Sequence, residues 1–199
     1  MNIEKIKSAN TKYLGKNIIY YEKIDSTQDE AKRIIHDNIS NGTIIMADEQ
    51  TKGKGTHGRK WHTGAENNIA MSIIIYPKCN IKNVEGLTIK IAESMCNAIK
   101  ELYGYELKIK FPNDIILNNK KIGGILTECN TLDEIVQHII IGFGFNVNEI
   151  NFSEETKEIA TSLKKEYKKD FSKEDIIIKF LEIFEKIIED MLWIYNISF

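Results

Sequence analysis

The segment Gln50-Thr-Lys-Gly-Lys-Gly-Thr-His-Gly-Arg-Lys-Trp61 combines three glycines with closely spaced cationic side chains. Glycine lets the backbone approach a ligand closely and adopt positive φ. Consecutive N–H groups exposed in such a loop form a concavity that binds anions. The segment therefore predicts a loop that holds a carboxylate or a phosphate.

The elements on either side of this loop decide the fold class. Residues 43–47 before it and 69–76 after it are apolar and rich in isoleucine, which predicts two strands. Residues 59–68 between them lack the 3.6-residue apolar periodicity of a helix. A Rossmann glycine turn must open a helix, so strand–loop–strand excludes a nicotinamide site. Protein kinases are excluded because Val-Ala-Ile-Lys and His-Arg-Asp motifs are missing.

The rest of the chain alternates predicted strands and helices. A capping box with Thr27 at the N-cap and Glu30 three residues later predicts a helix to about His36. A stripe of apolar residues from Val84 to Leu102 predicts a second helix. A further apolar stripe predicts a last helix that begins at Ser172. Strands are predicted at 18–21, 107–111 and 135–143, and a hairpin at 115–126. We expect one α+β (α/β) domain over residues 1–199, a mixed sheet with helices mainly on one side.

Composition excludes several classes of function. A formal net charge of −2 argues against general nucleic-acid binding. The three cysteines are widely spaced and the four histidines form no known ligand motif, so neither a disulfide framework nor a zinc site is predicted. No secretory leader opens the chain, and no apolar run approaches the roughly 18 residues that a membrane span needs. We therefore expect a cytoplasmic protein without a membrane partner.

Four polar segments lie where predicted strands end, which is the usual position of a site. They are 25–28, the glycine loop with Gln50, 110–114 followed by 121–126, and 142–148. In this order and spacing they resemble the catalytic domain of biotin–protein ligase over about residues 18–192. Lys110-Phe-Pro-Asn-Asp114 followed by Lys-Lys-Ile-Gly-Gly-Ile-Leu is the most specific of these matches.

The resemblance implies a class II synthetase-like catalytic domain of the biotin/lipoate ligase type. Its implied activity is ATP-dependent formation of biotinyl-5′-AMP, followed by transfer of biotin to a lysine of a biotin carboxyl-carrier protein or domain. Biotin and ATP are the implied substrates and Mg²⁺ the implied activator. Such a site must hold two anions together, which requires backbone donors and cations at their meeting point. The protein is expected to be a monomer or a homodimer.

The resemblance also assigns roles to individual positions. Lys121, Asp114 and Lys54 are the implied catalytic residues, and Asp114 is either a Mg²⁺ ligand or the residue that begins the hairpin turn. Biotin is expected at Ser26, Thr27, Gln28, Gln50, Lys54, Gly55, Thr56 and Lys121, and ATP or the adenylate at Gly53, Arg59, Trp61, Asn113 and Asn146. Two alternatives stay open: the hydroxyls of residues 26 and 27 cap a helix, and Trp61 only anchors the loop.

The sequence departs from the family pattern at several positions. Gln28 stands where the family commonly has Asn, and Lys54, Thr56 and His57 replace three arginines. The loss of a cation at Thr56 predicts faster escape of the adenylate. The residues before Ile18 are too few for a helix-turn-helix domain. The tail at 193–199 contains no strands for the family's C-terminal SH3-like barrel, which we therefore expect to be absent.

Three other functions remain open from the sequence. A lipoate–protein ligase would share the acyl-adenylate chemistry. A truncated biotin-binding module with weak transfer activity is a second alternative, and a nucleotide-binding protein unrelated to biotin is the third. The sequence also leaves open whether residues 149–161 close over a bound adenylate.

Overall fold

A seven-stranded mixed sheet forms the centre of the computed structural model, which describes residues 1–62 and 67–192. The strands are β1 (Ile18–Ile24), β2 (Ile44–Gln50), β3 (Asn68–Ile75), β4 (Lys108–Lys110), β5 (Asp114–Leu117), β6 (Lys120–Leu132) and β7 (Ile135–Asn146). Their order is β1-β2-β3-β7-β6-β5-β4. Only β1 and β2 pair in parallel, and every other neighbouring pair is antiparallel. The predicted mixed sheet is confirmed, whereas the 193–199 tail lies outside the described residues.

The described part of the chain contains five α-helices beside the sheet: α1 (Ile3–Lys7), α2 (Thr27–Ile34), α3 (Leu87–Tyr103), α4 (Leu163–Tyr167) and α5 (Lys173–Leu192). The sequence did not predict α1 and α4, because five residues are too short to display an apolar periodicity. Val84 was wrongly assigned to α3. It lies in a 3₁₀ turn, and α3 begins after Gly86, which has φ 81°. Ser172 does open α5, since its Oγ accepts the Asp175 N–H at 3.2 Å.

The two faces of the sheet are covered unequally. Helices α1, α3 and α5 contribute to one large apolar core, in which the buried phenylalanines are Phe143, Phe145, Phe171, Phe180 and Phe184. On the other face α2 covers a cluster of only five buried apolar residues. Helices thus lie mainly on one side, as predicted. The thinly covered face leaves room for a ligand beside α2.

A buried carboxylate attaches the chain before β1 to α5. Glu185 is 5% exposed and accepts three backbone N–H groups, from Lys12 at 2.6 Å, Tyr13 at 3.0 Å and Leu14 at 2.9 Å. We expect Glu185→Gln to lower the free energy of unfolding by about 2 kcal/mol. The NH₂ group of the glutamine would face one of these backbone N–H groups, and because both are donors that hydrogen bond would be lost. Urea denaturation measures the change. Glu182→Gln is the control: Glu182 accepts one backbone N–H, from Asn10, and pairs with Lys179 at 3.9 Å, so this variant should lose less stability.

Candidate active site

The floor of the candidate site is a part of the sheet with little side-chain cover. Alternation along β7 places Gly142 and Gly144 on the same face as Ile140, which packs with α2. Gly124 of β6 pairs with Gly144 across the ladder. The floor borders an inner pocket that is open to solvent, and its empty space, counted together with the solvent at its mouth, is about 430 Å³. Because these positions lack side chains, a ligand or a neighbouring ring can lie directly against the backbone.

Trp61 lies over this floor. A Cβ added at Gly144 would come within 2.6 Å of three atoms of the indole, and one at Gly124 would come 3.3 Å from it. The indole Nε1 is buried, and no residue in ranges 1–62 and 67–192 accepts a hydrogen bond from it. The main chain of Trp61 also closes the glycine loop, since its N–H donates to Gly53 O at 2.9 Å. Trp61 therefore does both: its main chain anchors the loop and its side chain lines the pocket.

Hydroxyl and amide groups form the inner end of the pocket. Gln50 Oε1 accepts hydrogen bonds from the Thr27 N–H at 2.8 Å and the Thr27 hydroxyl at 3.1 Å. Ser72 Oγ lies 2.9 Å from Thr27 Oγ1 and 3.0 Å from Gln28 Oε1. The N-cap of α2 is Ser26 and not Thr27, because Ser26 Oγ accepts the Asp29 N–H. Ser26 thus caps the helix, the hydroxyl of Thr27 joins the polar group in the pocket, and both residues line the pocket, so a ligand role for either stays a prediction.

The glycine loop bends over the pocket and is partly closed by its own hydrogen bonds. Gly55 N–H donates to Arg59 O at 2.7 Å, so this N–H is already paired within the loop. The Arg59 guanidinium donates to Thr56 Oγ1 at 3.0 Å and to Thr56 O at 3.2 Å. Lys54 Nζ reaches Asp29 Oδ1 at 2.5 Å, at the start of α2. The loop therefore brings a guanidinium to the position where Thr56 replaces an arginine.

Lys121 lies where the inner pocket meets a larger outer cleft, and its side chain lines both. Its ammonium is 2.6 Å from Asp114 Oδ1 and 5.7 Å from the centre of the Trp61 ring. Its backbone pairs with the 159–161 segment: Lys121 N–H donates to Ile159 O, and Thr161 N–H donates to Lys121 O. The neighbouring Lys120 instead extends toward Lys157 O at 3.4 Å. Lys121 is therefore the lysine of this pair that faces the candidate site.

The two asparagines expected near a nucleotide lie in different compartments. Asn113 lines the inner pocket, and its amide donates to Ile125 O at 3.1 Å and to Thr56 Oγ1 at 3.4 Å. Asn146 lines the outer cleft and donates to Thr161 O at 3.0 Å. Both side chains brace the backbone around the cleft, and both leave their amide oxygen for other contacts.

The sequence reading missed several residues of the site. Ser72 was hidden in the apolar run 69–76, where the signal that it offered was a lone polar side chain in a buried strand. The outer cleft is also lined by cations to which the sequence assigned no role: Lys52, Lys60, Lys108 and Lys110. Part of the 149–161 segment, including Phe152 and Ile159, forms another wall of this cleft.

Other structural features limit the kinds of site that this part of the chain contains. No group of three or more His, Cys, Asp or Glu side chains suited to a metal occurs within 1–62 and 67–192. Across the same ranges, no helix has both the length and the apolar composition that crossing a bilayer requires.

Comparison with known proteins agrees with this geometry. The family described as "Biotin/lipoate A/B protein ligase family" matches residues 20–146. The bifunctional ligase/repressor BirA of Bacillus subtilis (strain 168) is 36% identical over 184 residues, which cover 92% of this chain and 57% of that protein. The biotin–[acetyl-CoA-carboxylase] ligase of Paracoccus denitrificans is 32% identical over 127 residues, covering 63% of this chain and 52% of the relative.

A solved structure extends the similarity to three dimensions. The biotin protein ligase from Aquifex aeolicus, in complex with biotin and ATP, superimposes with a TM-score of 0.75 and 31% identity. The match covers 89% of this chain and 72% of that one. The chain thus spans little more than half the length of the Bacillus and Paracoccus relatives, and about three quarters of this structural one.

Proposed function

The chain belongs to the biotin/lipoate A/B protein ligase family, and we propose that it is an ATP-dependent biotin–protein ligase. In this proposal biotin occupies the inner pocket and ATP the outer cleft. The observation that carries the proposal is the position of Lys121, whose side chain lines both compartments. An acid held in one and a nucleotide held in the other would bring a carboxylate and an α-phosphate together beside a single ammonium.

The first half-reaction joins these two anions. A carboxylate oxygen of biotin attacks the α-phosphorus, pyrophosphate leaves, and biotinyl-5′-AMP forms. The Lys121 ammonium offsets the charge on the approaching oxygens, and Asp114, at 2.6 Å, fixes its position. In the second half-reaction a carrier-domain lysine attacks the biotinyl carbonyl and AMP leaves. Trp61 and the glycine loop cover the mixed anhydride and keep water from it.

Asp114 is also the residue that we propose to hold Mg²⁺. Its carboxylate suits a hard cation, and sites of this kind use one or two carboxylates together with substrate phosphates and water. Bound Mg²⁺ would neutralise phosphate charge, while the protein residues orient the two reactants.

The inner pocket favours biotin over lipoate. Thr27, Gln28 and Ser72 are nearly or fully buried, at 3%, 3% and 0% exposure, and they form a polar group with Gln50. A ureido ring offers one carbonyl and two N–H groups to such partners, whereas a dithiolane ring offers none. Buried polar groups that face an apolar ligand lose hydrogen bonds, which discriminates strongly against that ligand.

The decisive experiment compares acids in ATP–pyrophosphate exchange. We expect biotin, and not lipoate, to drive exchange in the presence of Mg²⁺, and a biotin carboxyl-carrier domain to become labelled. Exchange driven by lipoate alone would instead identify a lipoate ligase. Tight biotin binding without any exchange would identify a binding module.

Thr56 predicts a measurable property of the intermediate. We expect Thr56→Arg to slow release of biotinyl-5′-AMP about ten-fold, because a charge-assisted hydrogen bond to the phosphate would replace a neutral hydroxyl. Stopped-flow displacement measures the release rate. An unchanged rate would indicate that Arg59, whose guanidinium already reaches Thr56 Oγ1, supplies the missing cation.

A further inference from the structure

One glutamate outside the pocket lining contacts the polar group inside it. Gln28 is 3% exposed, and its side-chain amide extends from the pocket toward Glu128 on β6. Gln28 Nε2 donates to Glu128 Oε2 at 2.7 Å and lies 3.4 Å from Ile140 O. At its other end, Gln28 Oε1 accepts from Ser72 Oγ at 3.0 Å. The amide thus connects a carboxylate at the surface to a hydroxyl at the inner end of the pocket.

The carboxylate determines which way this amide points. A glutamine side chain has a donor end and an acceptor end of nearly the same shape, so packing alone does not distinguish its two orientations. An ionised carboxylate only accepts hydrogen bonds, and it therefore requires the NH₂ end. The carbonyl end is then directed toward Ser72. A Cβ at Gly142 would lie 2.6 Å from Gln28 Oε1, so the glycine floor provides the space that the carbonyl occupies.

The surroundings of Glu128 keep it ionised. Lys32 Nζ on α2 lies 2.8 Å from Glu128 Oε1, and the charge of Lys54 acts on the same carboxylate. Burial raises the pKa of Glu128, but hydrogen bonds from Lys32 and Gln28 and the two ammonium charges outweigh burial, so the pKa falls below its ordinary value. The carboxylate therefore stays an acceptor at neutral and mildly acidic pH.

We propose that Glu128 is a positioning residue for biotin recognition: it fixes the Gln28 amide with its carbonyl facing the pocket and thereby sets which groups of the inner pocket donate and which accept. Glu128 acts through Gln28 and does not touch the substrate. When Gln28 Oε1 accepts the Ser72 hydroxyl, the hydroxyl of Thr27 and the amide of Gln50 present a single pattern of donors and acceptors to the ligand. The inference rests on the proposed function, because the oriented group is the one that would bind the ureido ring.

Glu128→Gln tests this role without changing the shape of the side chain. A glutamine can present either end to Gln28, so the orientation of the Gln28 amide then depends on its longer contact with Ile140 O, at 3.4 Å, and is fixed less firmly. We expect the KM for biotin in ATP–pyrophosphate exchange to rise about ten-fold, the effect of losing one charge-assisted, partly buried hydrogen bond. The KM for ATP and the kcat should change less than two-fold. A role in overall stability would not produce this split.

Glu93→Gln is the matched control. The Lys90–Glu93 pair on α3 has an N···O distance of 2.9 Å and side-chain exposures of 48% and 40%, close to the 2.8 Å, 44% and 39% of Lys32–Glu128. The Glu93→Gln substitution removes the same charge as Glu128→Gln, but from a comparable pair that lines neither the inner pocket nor the outer cleft. We expect its KM for biotin to match that of the unaltered protein. Lys32→Gln should raise the KM only about two-fold, since exposed ion pairs contribute little.

A double-mutant cycle shows whether Glu128 acts through Gln28. In a Gln28→Ala background, Glu128→Gln should have no further effect on the KM for biotin. Equal effects in both backgrounds would overturn the proposal, and so would a Glu128→Gln variant that behaves like Glu93→Gln. If the unaltered protein neither binds biotin nor uses it in exchange, the proposed function fails and this inference fails with it. If the unaltered protein is active with biotin, these outcomes test the inference alone.

Discussion

Lys121→Ala is expected to slow biotin-dependent ATP–pyrophosphate exchange by about 10²–10³-fold, the loss typical of removing one preorganised group that stabilises transition-state charge. The ammonium lies at the junction of the two compartments and 2.6 Å from Asp114. Its removal leaves two anions to approach each other without a compensating charge. Because that charge is needed most as the new bond forms, kcat should fall more than the KM values rise.

Lys120→Ala is the control for this experiment. It removes the same side chain from the adjacent position, where Nζ extends toward Lys157 O and lines neither compartment. Its exchange rate should stay within about two-fold of the unaltered protein, as for other exposed charges. A Lys121→Ala variant that retains full exchange, or a Lys120→Ala variant with the larger loss, would contradict the assignment of Lys121.

Gly144→Ala is expected to lower biotin-dependent exchange by about 100-fold, the scale of loss when a misplacement near 1 Å reaches the reacting groups. The added methyl would lie within 2.6 Å of three atoms of the Trp61 indole, which is shorter than any stable carbon contact. The indole must therefore leave the floor of the pocket, and the loop that ends at Trp61 must move with it. The same assay measures the loss, and thermal unfolding reports whether the sheet stays intact.

Gly124→Ala supplies a graded comparison on the opposite strand. Its Cβ would meet Trp61 at 3.3 Å and the end of the flexible Lys121 side chain at 3.1 Å, so small shifts relieve the contact. We expect a loss of less than ten-fold, within the usual cost of mild overpacking. In a Trp61→Ala background, Gly144→Ala should have little further effect, because the clashing ring is gone. A Gly144→Ala protein with full activity would show that the ring position is not required.

Local patterns in the sequence predicted most of the strands and the two long helices. Helix α5 buries one face, so the period of its apolar residues is visible without a structure, whereas β7 is buried on both faces over most of its length and is visible as a continuous apolar run. The capping box before α2 was misread by one position, because Ser26 and Thr27 both carry a hydroxyl and a local pattern does not show which one faces Asp29. Short elements such as α4 gave too few periodic positions to be detected.

The residues of the candidate site also fall into two groups, those that local sequence motifs identified and those that only the tertiary structure revealed. Motif resemblance singled out Thr27, Gln50 and Lys121 because these side chains stand in segments with specific spacing. It did not find Ser72 or Glu128, which reach the site from the middle of strands that pair through β7. Their contacts with Gln28 span 44 and 100 residues of sequence. No local pattern encodes a contact of that separation.

The sequence by itself determined the family, the order of the main elements and the position of the glycine loop, because each depends on residues close together in the chain. The tertiary structure decided which lysine of the 120–121 pair faces the cleft, which hydroxyl of the 26–27 pair caps α2, and how Trp61 lies on Gly144. Those choices depend on pairing register and on which face of a strand a side chain occupies, and a one-residue shift would reverse them.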